Sequence, residues 1–114
     1  MPLLKVQTNI TLEPGLQQTL LKQLSETVAS ELGKPESYVM VLFEERTPML
    51  FAGSDAAAAY LELKSLGLPQ ETTPALSAAL CNTVTHHLAI PGDRIYIEFF
   101  SPPRHLWGWN SSTF

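Results

Sequence analysis

GKPESYVMVLF, residues 33–43, and IPGDRIYIEFF, residues 90–100, share one plan. Each opens on a Gly/Pro turn and runs into an apolar strand, and each follows a helical stretch, so the chain reads as two strand, helix, strand units. In the second segment, period two puts Ile95, Ile97 and Phe99 on one face and Tyr96, Glu98 and Phe100 on the other. The more uniformly apolar set is expected to face the helices. Residues 38–45 are apolar on both faces from Tyr38 to Phe43, which predicts a central strand covered on both sides.

Working outward, LLKVQTNI at 3–10 alternates Leu4 and Val6 with Lys5 and Gln7 and reads as a strand. From Leu16, apolar residues at Leu20, Leu21, Leu24, Val28 and Leu32 make a one-sided helical stripe, ended by Gly33 and blocked by Pro35. ERTP, ending at Pro48, turns the chain into the short apolar run Met49 to Phe51. AAAAYLELKSLG at 56–67 carries mixed signals: its alanines favour a helix, whereas Tyr60 to Leu66 alternates, which predicts a strand from about Ala58. A second helix is predicted over 70–89, with Pro74 in its first turn, Leu76, Leu80, Val84 and Leu88 on one side, and His86 and His87 in its last turn.

Two such units pair into one four-stranded sheet with both helices on one face, because right-handed crossovers put each helix on the same side. The fold class is α+β, with residues 1–114 as one domain. The other sheet face then carries aromatics that a monomer leaves in water, joined by Trp107, Trp109 and Phe114 of the C-terminal HLWGWNSSTF. An apolar face of this kind marks an interface or a pocket, so a homo-oligomer with sites shared between chains is expected.

With Lys plus Arg 7 against Asp plus Glu 11, the net charge is -4, which disfavours nucleic-acid and anionic-membrane partners. No apolar run approaches the roughly 20 residues of a membrane span, and the start lacks the regions of a signal peptide, so the expected compartment is the cytoplasm. The single Cys81 has no disulfide partner and no metal-ligand set near it in sequence, and is read as a buried, inert thiol. Asn9-Ile10-Thr11 and Asn110-Ser111-Ser112 match the glycosylation pattern, which without a secretion signal is read as accidental.

Several stretches in order, MPLLKVQTN, LGKPESYVMV, FAGSD, KSLG, PGDRIYIEFF and GWNSSTF, resemble the macrophage migration inhibitory factor group of the tautomerase superfamily along the whole chain. The resemblance implies a homotrimer of pseudo-twofold βαββαβ subunits with short edge strands and three active sites at subunit boundaries. It implies that removal of the initiator methionine exposes Pro2, whose secondary amine is the catalytic base. Proline inside a chain has no basic nitrogen, so processing creates the base. A terminal amine has a pKa of roughly 7.7 to 8.0, and apolar burial and a nearby cation favour its neutral form.

The same resemblance assigns Lys34 to the substrate carboxylate, and with it the Leu66 backbone N–H, next to Ser65 and Gly67, which also holds that carboxylate. It assigns Tyr96, Trp109 and Phe114 to the aromatic walls. The implied reaction is cofactor-independent and metal-independent keto-enol tautomerism of phenylpyruvate- or dopachrome-type compounds, with a small aromatic 2-oxo acid as substrate. Relatives that act as signalling proteins leave an interaction role as the alternative, and hydration or dehalogenation of an unsaturated acid is a third reading.

This chain departs from the group at defined places. Ala58 and Leu61 stand where mammalian members carry a Cys-x-x-Cys, so thiol redox activity by that route is not expected. Glu98 replaces a neutral amide, and an ionised carboxylate near the base is expected to hold the amine protonated and repel an anionic substrate. Trp107 replaces a smaller residue and is expected to narrow the mouth of the pocket.

Overall fold

The computed structural model describes residues 1–114. Strand β1 (Pro2–Thr8) leads to helix α1 (Leu16–Leu32) and strand β2 (Met40–Glu44); strand β3 (Ala59–Ser65) leads to helix α2 (Thr73–Leu88) and strand β4 (Ile95–Phe100). A C-terminal ribbon of β5 (Gly108–Trp109) and β6 (Ser112–Thr113) completes the chain.

The four-stranded sheet has the order β2-β1-β3-β4. β1 is parallel to β2 and β3 to β4, while the central β1 and β3 run antiparallel, with Pro2 opposite Ser65 and Thr8 opposite Ala59. An antiparallel central pair flanked by two parallel crossovers is what two copies of one unit make about a twofold axis.

Both helices pack against one face of this sheet in one core. Leu4 and Val6 of β1 and Leu61 and Leu63 of β3 meet Leu20, Leu24 and Val28 of α1 and Leu76, Leu80 and Val84 of α2. Full burial of each such leucine contributes roughly 1.5–3 kcal/mol. The strict alternation of buried and half-buried residues along β1 and β3 matches the period-two reading, and in β4 Ile95, Ile97 and Phe99 turn inward while Tyr96, Glu98 and Phe100 are exposed.

Three expectations are corrected. The strand predicted over 38–45 as a covered central strand is an edge strand, and it starts only at Met40, because Glu36–Tyr38 form a 3-10 turn behind Pro35. Met40 is 61% exposed, so the apolar outer residues of β2 lack a cover within the chain. Cys81 is half-buried rather than buried, since it stands one position past Leu80 and so on the flank of the buried stripe of α2. Burial raises its thiol pKa. The predicted helix over 70–89 begins as a 3-10 turn at Gln70–Thr72 before α2 proper.

No helix is long and apolar enough to cross a membrane. Asn9 ties the loop before β3 to the end of β1, because its side-chain amide donates to the carbonyls of Asp55 and Ala56 and accepts from the Ala58 N–H.

Candidate active site

One end of the central strand pair defines the place. Pro2 begins β1, where a residue without an N–H is tolerated, and it is buried opposite Ser65 at the end of β3. Gly33 caps α1 in the left-handed conformation at φ 62°, and the N–H of Lys34 returns to the Ala29 carbonyl at 3.0 Å. This tight reversal ends the helix beside the end of β3. Lys34 Nζ then donates to Ser65 Oγ at 2.9 Å and to the Leu66 carbonyl. Ser65 is fully buried, and Gly67 at φ 64° turns the chain away behind it.

The far wall comes from the C-terminal ribbon. Asn110 and Ser111 both take positive φ, at 52° and 63°, and make the two-residue turn between β5 and β6. Both signs match a type I′ hairpin. Trp109 is thereby stacked on Phe114 with ring centroids 5.6 Å apart and meets Tyr38 edge-on at 5.4 Å. The Phe114 N–H donates to the Trp107 carbonyl at 3.1 Å.

Two cavities flank the chain's start. One, of about 300 Å³, is lined by Lys34, Pro35, Leu66, Gly67 and Arg104. The other, of about 330 Å³, is lined by Pro2, Met40, Trp107 and Trp109. Met1, Tyr38 and Phe114 line both. The amine of Met1 is pushed down from the ordinary 8.0 to about 6, first by burial and then by the charge and hydrogen bonding of Lys34, with Arg104 adding to the effect. The Met1 amine so placed is largely neutral at pH 7. No group of three or more His, Cys, Asp or Glu is arranged to hold a metal ion.

One chain thus brings together Pro2, Lys34, Ser65, Leu66, Trp107, Trp109 and Phe114. Tyr96 and Glu98 are elsewhere. Tyr96 lies beside Tyr60, five residues along β3 from the Ser65 that faces Pro2, or roughly 16 Å at strand rise. It packs on Phe51 at 4.5 Å and lines a separate apolar cavity of about 630 Å³. Glu98 pairs with Glu62 on the open sheet face. Tyr38 and Arg104, by contrast, line the site without having been singled out in the sequence. The Pro35-Glu36-Ser37 run is a signal for a helical turn, which would have taken Tyr38 out of the strand.

The whole chain, residues 1–114, matches the profile of the macrophage migration inhibitory factor (MIF) family. The chain belongs to the macrophage migration inhibitory factor family. MIF proteins form a group of the tautomerase superfamily. A MIF homologue of Trichuris trichiura is 39% identical over 115 aligned positions, covering 100% of both chains. The crystal structure of a MIF homologue from Prochlorococcus marinus superposes with a TM-score of 0.93 at 41% identity, covering 98% of each chain. The MIF of Trichinella spiralis gives 0.91 at 32% identity, covering 98% of this chain and 99% of its own. Such likeness at this coverage makes the two-layer subunit described above a MIF fold.

Proposed function

We propose that this MIF-family protein is a cofactor-independent keto-enol tautomerase of small aromatic 2-oxo acids, with the amine of Pro2 as its base. The observation that carries the reading is the chain's start, where Pro2 is buried opposite Ser65, the partner of Lys34, and the Met1 amine between the two cavities is shifted toward its neutral form by burial and Lys34. Removal of Met1 places a secondary amine on Pro2 and clears one of the three residues that line both cavities.

The chemistry follows from that arrangement. The neutral amine takes the proton from the carbon next to the ketone, the C–H electron pair forms the C=C bond, and the carbonyl oxygen receives charge and then a proton. Lys34, fixed by Ser65 Oγ and the Leu66 carbonyl, holds the substrate carboxylate together with the Leu66 backbone N–H. Trp109 and Phe114 provide the apolar wall for the aryl ring, and Trp107 narrows the mouth.

Tyr96 and Glu98 reach a Pro2 site only from another copy of the chain. The exposed Met40, Tyr96, Phe100 and Trp109 favour such an assembly, and a homotrimer with shared sites is the proposed form. A signalling role in which catalysis is incidental is equally compatible with MIF membership. A protein partner that still binds the Pro2→Gly chain would favour it.

The test is the ultraviolet rate of phenylpyruvate tautomerisation, with mass spectrometry confirming loss of Met1 and Pro2→Gly measured beside it. Activity present in the processed chain and lost in the variant is the expected result; no activity in the processed chain would refute the proposal.

A further inference from the structure

Lys34 is the only charged group so far assigned to the substrate carboxylate, and it is a thin anchor. Two of its three N–H donors go to Ser65 Oγ and the Leu66 carbonyl, which leaves one for a ligand with two oxygens. The cavity it lines holds a second cation, Arg104, and no Asp or Glu. The chain's one Lys/Arg ion pair with Asp or Glu within 4.0 Å is Lys64 with Glu62 at 3.0 Å, so neither Lys34 nor Arg104 is balanced by an acidic side chain.

Arg104 is also held in place. Pro102 and Pro103 stiffen the approach, Pro103 sits at φ -61°, and the 3-10 turn Arg104–Leu106 is closed by the Leu106 N–H to the Pro103 carbonyl at 3.0 Å. The Arg104 Nε–H donates to an oxygen of the carboxylate of Phe114, the last residue, at 3.1 Å, so one edge of the guanidinium already meets an anion. That is the only hydrogen bond of its guanidinium, so both terminal nitrogens are free. A planar fork with two free nitrogens suits the two oxygens of a carboxylate.

We infer that Arg104 is a second anion-binding group of this site and takes the substrate carboxylate together with Lys34. The inference deepens the tautomerase reading and rests on it for the identity of the ligand. It gives the site a preference for anionic over neutral aromatic ligands on a chain whose net charge is -4.

The experiment compares the processed wild-type chain with Arg104→Gln and Arg104→Lys. Calorimetry measures binding of 3-phenylpropionate, which cannot tautomerise, and of its neutral amide; KM is measured for phenylpyruvate and its methyl ester. The expected result is that Arg104→Gln weakens 3-phenylpropionate and phenylpyruvate by about tenfold and leaves amide and ester within twofold, with Arg104→Lys recovering part of the loss. Equal weakening of acid and amide would mean that Arg104 acts only by holding Phe114, and would overturn the inference. So would an unchanged affinity for the acid, or no binding of the acid by the wild-type chain. Charge-selective binding without turnover would refute the tautomerase reading and leave the role of Arg104 intact, whereas turnover with a charge-blind Arg104→Gln would do the reverse.

Discussion

Lys34 Nζ lies 2.9 Å from Ser65 Oγ, joining the residue that follows the cap of α1 to the last residue of β3. Because Ser65 also faces Pro2 across the strand pair, one serine fixes the distance between the cation and the chain's start. Replacing Lys34 by Gln removes a charged donor while keeping much of the packing. The expected outcome is a KM for phenylpyruvate raised by about tenfold or more, from a charged hydrogen bond worth roughly 1.5–3 kcal/mol. An unchanged KM in steady-state assays would exclude Lys34 from carboxylate binding.

The same substitution makes a pH prediction whose sign follows from linkage. The base works only when neutral, so kcat/KM rises as pH passes upward through its pKa and then levels. Lys34 lowers the pKa of the Met1 amine at the chain's start, and a cation beside a Pro2 amine acts in the same direction by disfavouring its protonated form. In Lys34→Gln the acid limb of the profile therefore moves to higher pH. A limb that stays in place would separate the titration from Lys34.

Glu98 and Glu62 stand opposite each other on the open face, and Glu62 is already engaged by Lys64 and by the Tyr60 hydroxyl. These bonds lower the pKa of Glu62, with the Lys64 contact first. Glu98 is left as the uncompensated carboxylate. If a neighbouring chain presents it to the Pro2 site, Glu98→Asn lowers KM for phenylpyruvate severalfold near pH 7 and moves the acid limb to lower pH. No change in rate or pH profile would remove Glu98 from the site.

Assembly has its own test. The proposed homotrimer has three times the 12.6 kDa chain mass. Sedimentation equilibrium at micromolar concentration is expected to give that mass, and a fully active 12.6 kDa species would contradict shared sites.

The second helix ends on a residue less suited to a left-handed cap than the first. Ala89 caps α2 at φ 58°, where the equivalent cap of α1 is Gly33. An L-residue in this region costs roughly 1–2 kcal/mol. Ala89→Gly is expected to raise stability by about 0.5–1 kcal/mol after the entropy of a freer unfolded chain is offset, read as a higher urea midpoint. A lower midpoint would show that the Ala89 methyl contributes packing that outweighs the strain.

Much of this was legible because the two periodicities are strong. Alternation in β1, β3 and β4 and the leucine stripe of each helix report which side is buried, and burial is what patterning encodes. Strand neighbours are another matter. The run from Tyr38 to Phe43 looks central because it is apolar on both faces, yet its place at the sheet edge is decided by topology. For the site, Pro2 and Lys34 were found by likeness to a family. Arg104 lies on a 3-10 turn with no periodic signal, and the role proposed for it depends on a cavity also lined by Phe114, which no local pattern links to it. Tyr96 and Glu98 show the converse, since residues assigned to one pocket lie far from it within a single chain.

Whether Pro2 is the base is decided most simply by a nitrogen-15 NMR titration of its amine in the processed chain. The expected pKa lies below the roughly 7.7 to 8.0 of an ordinary terminal amine, the direction in which burial and Lys34 move the Met1 amine. A value at or above the ordinary range would mean that the amine is protonated at neutral pH, and Pro2 would not be the base.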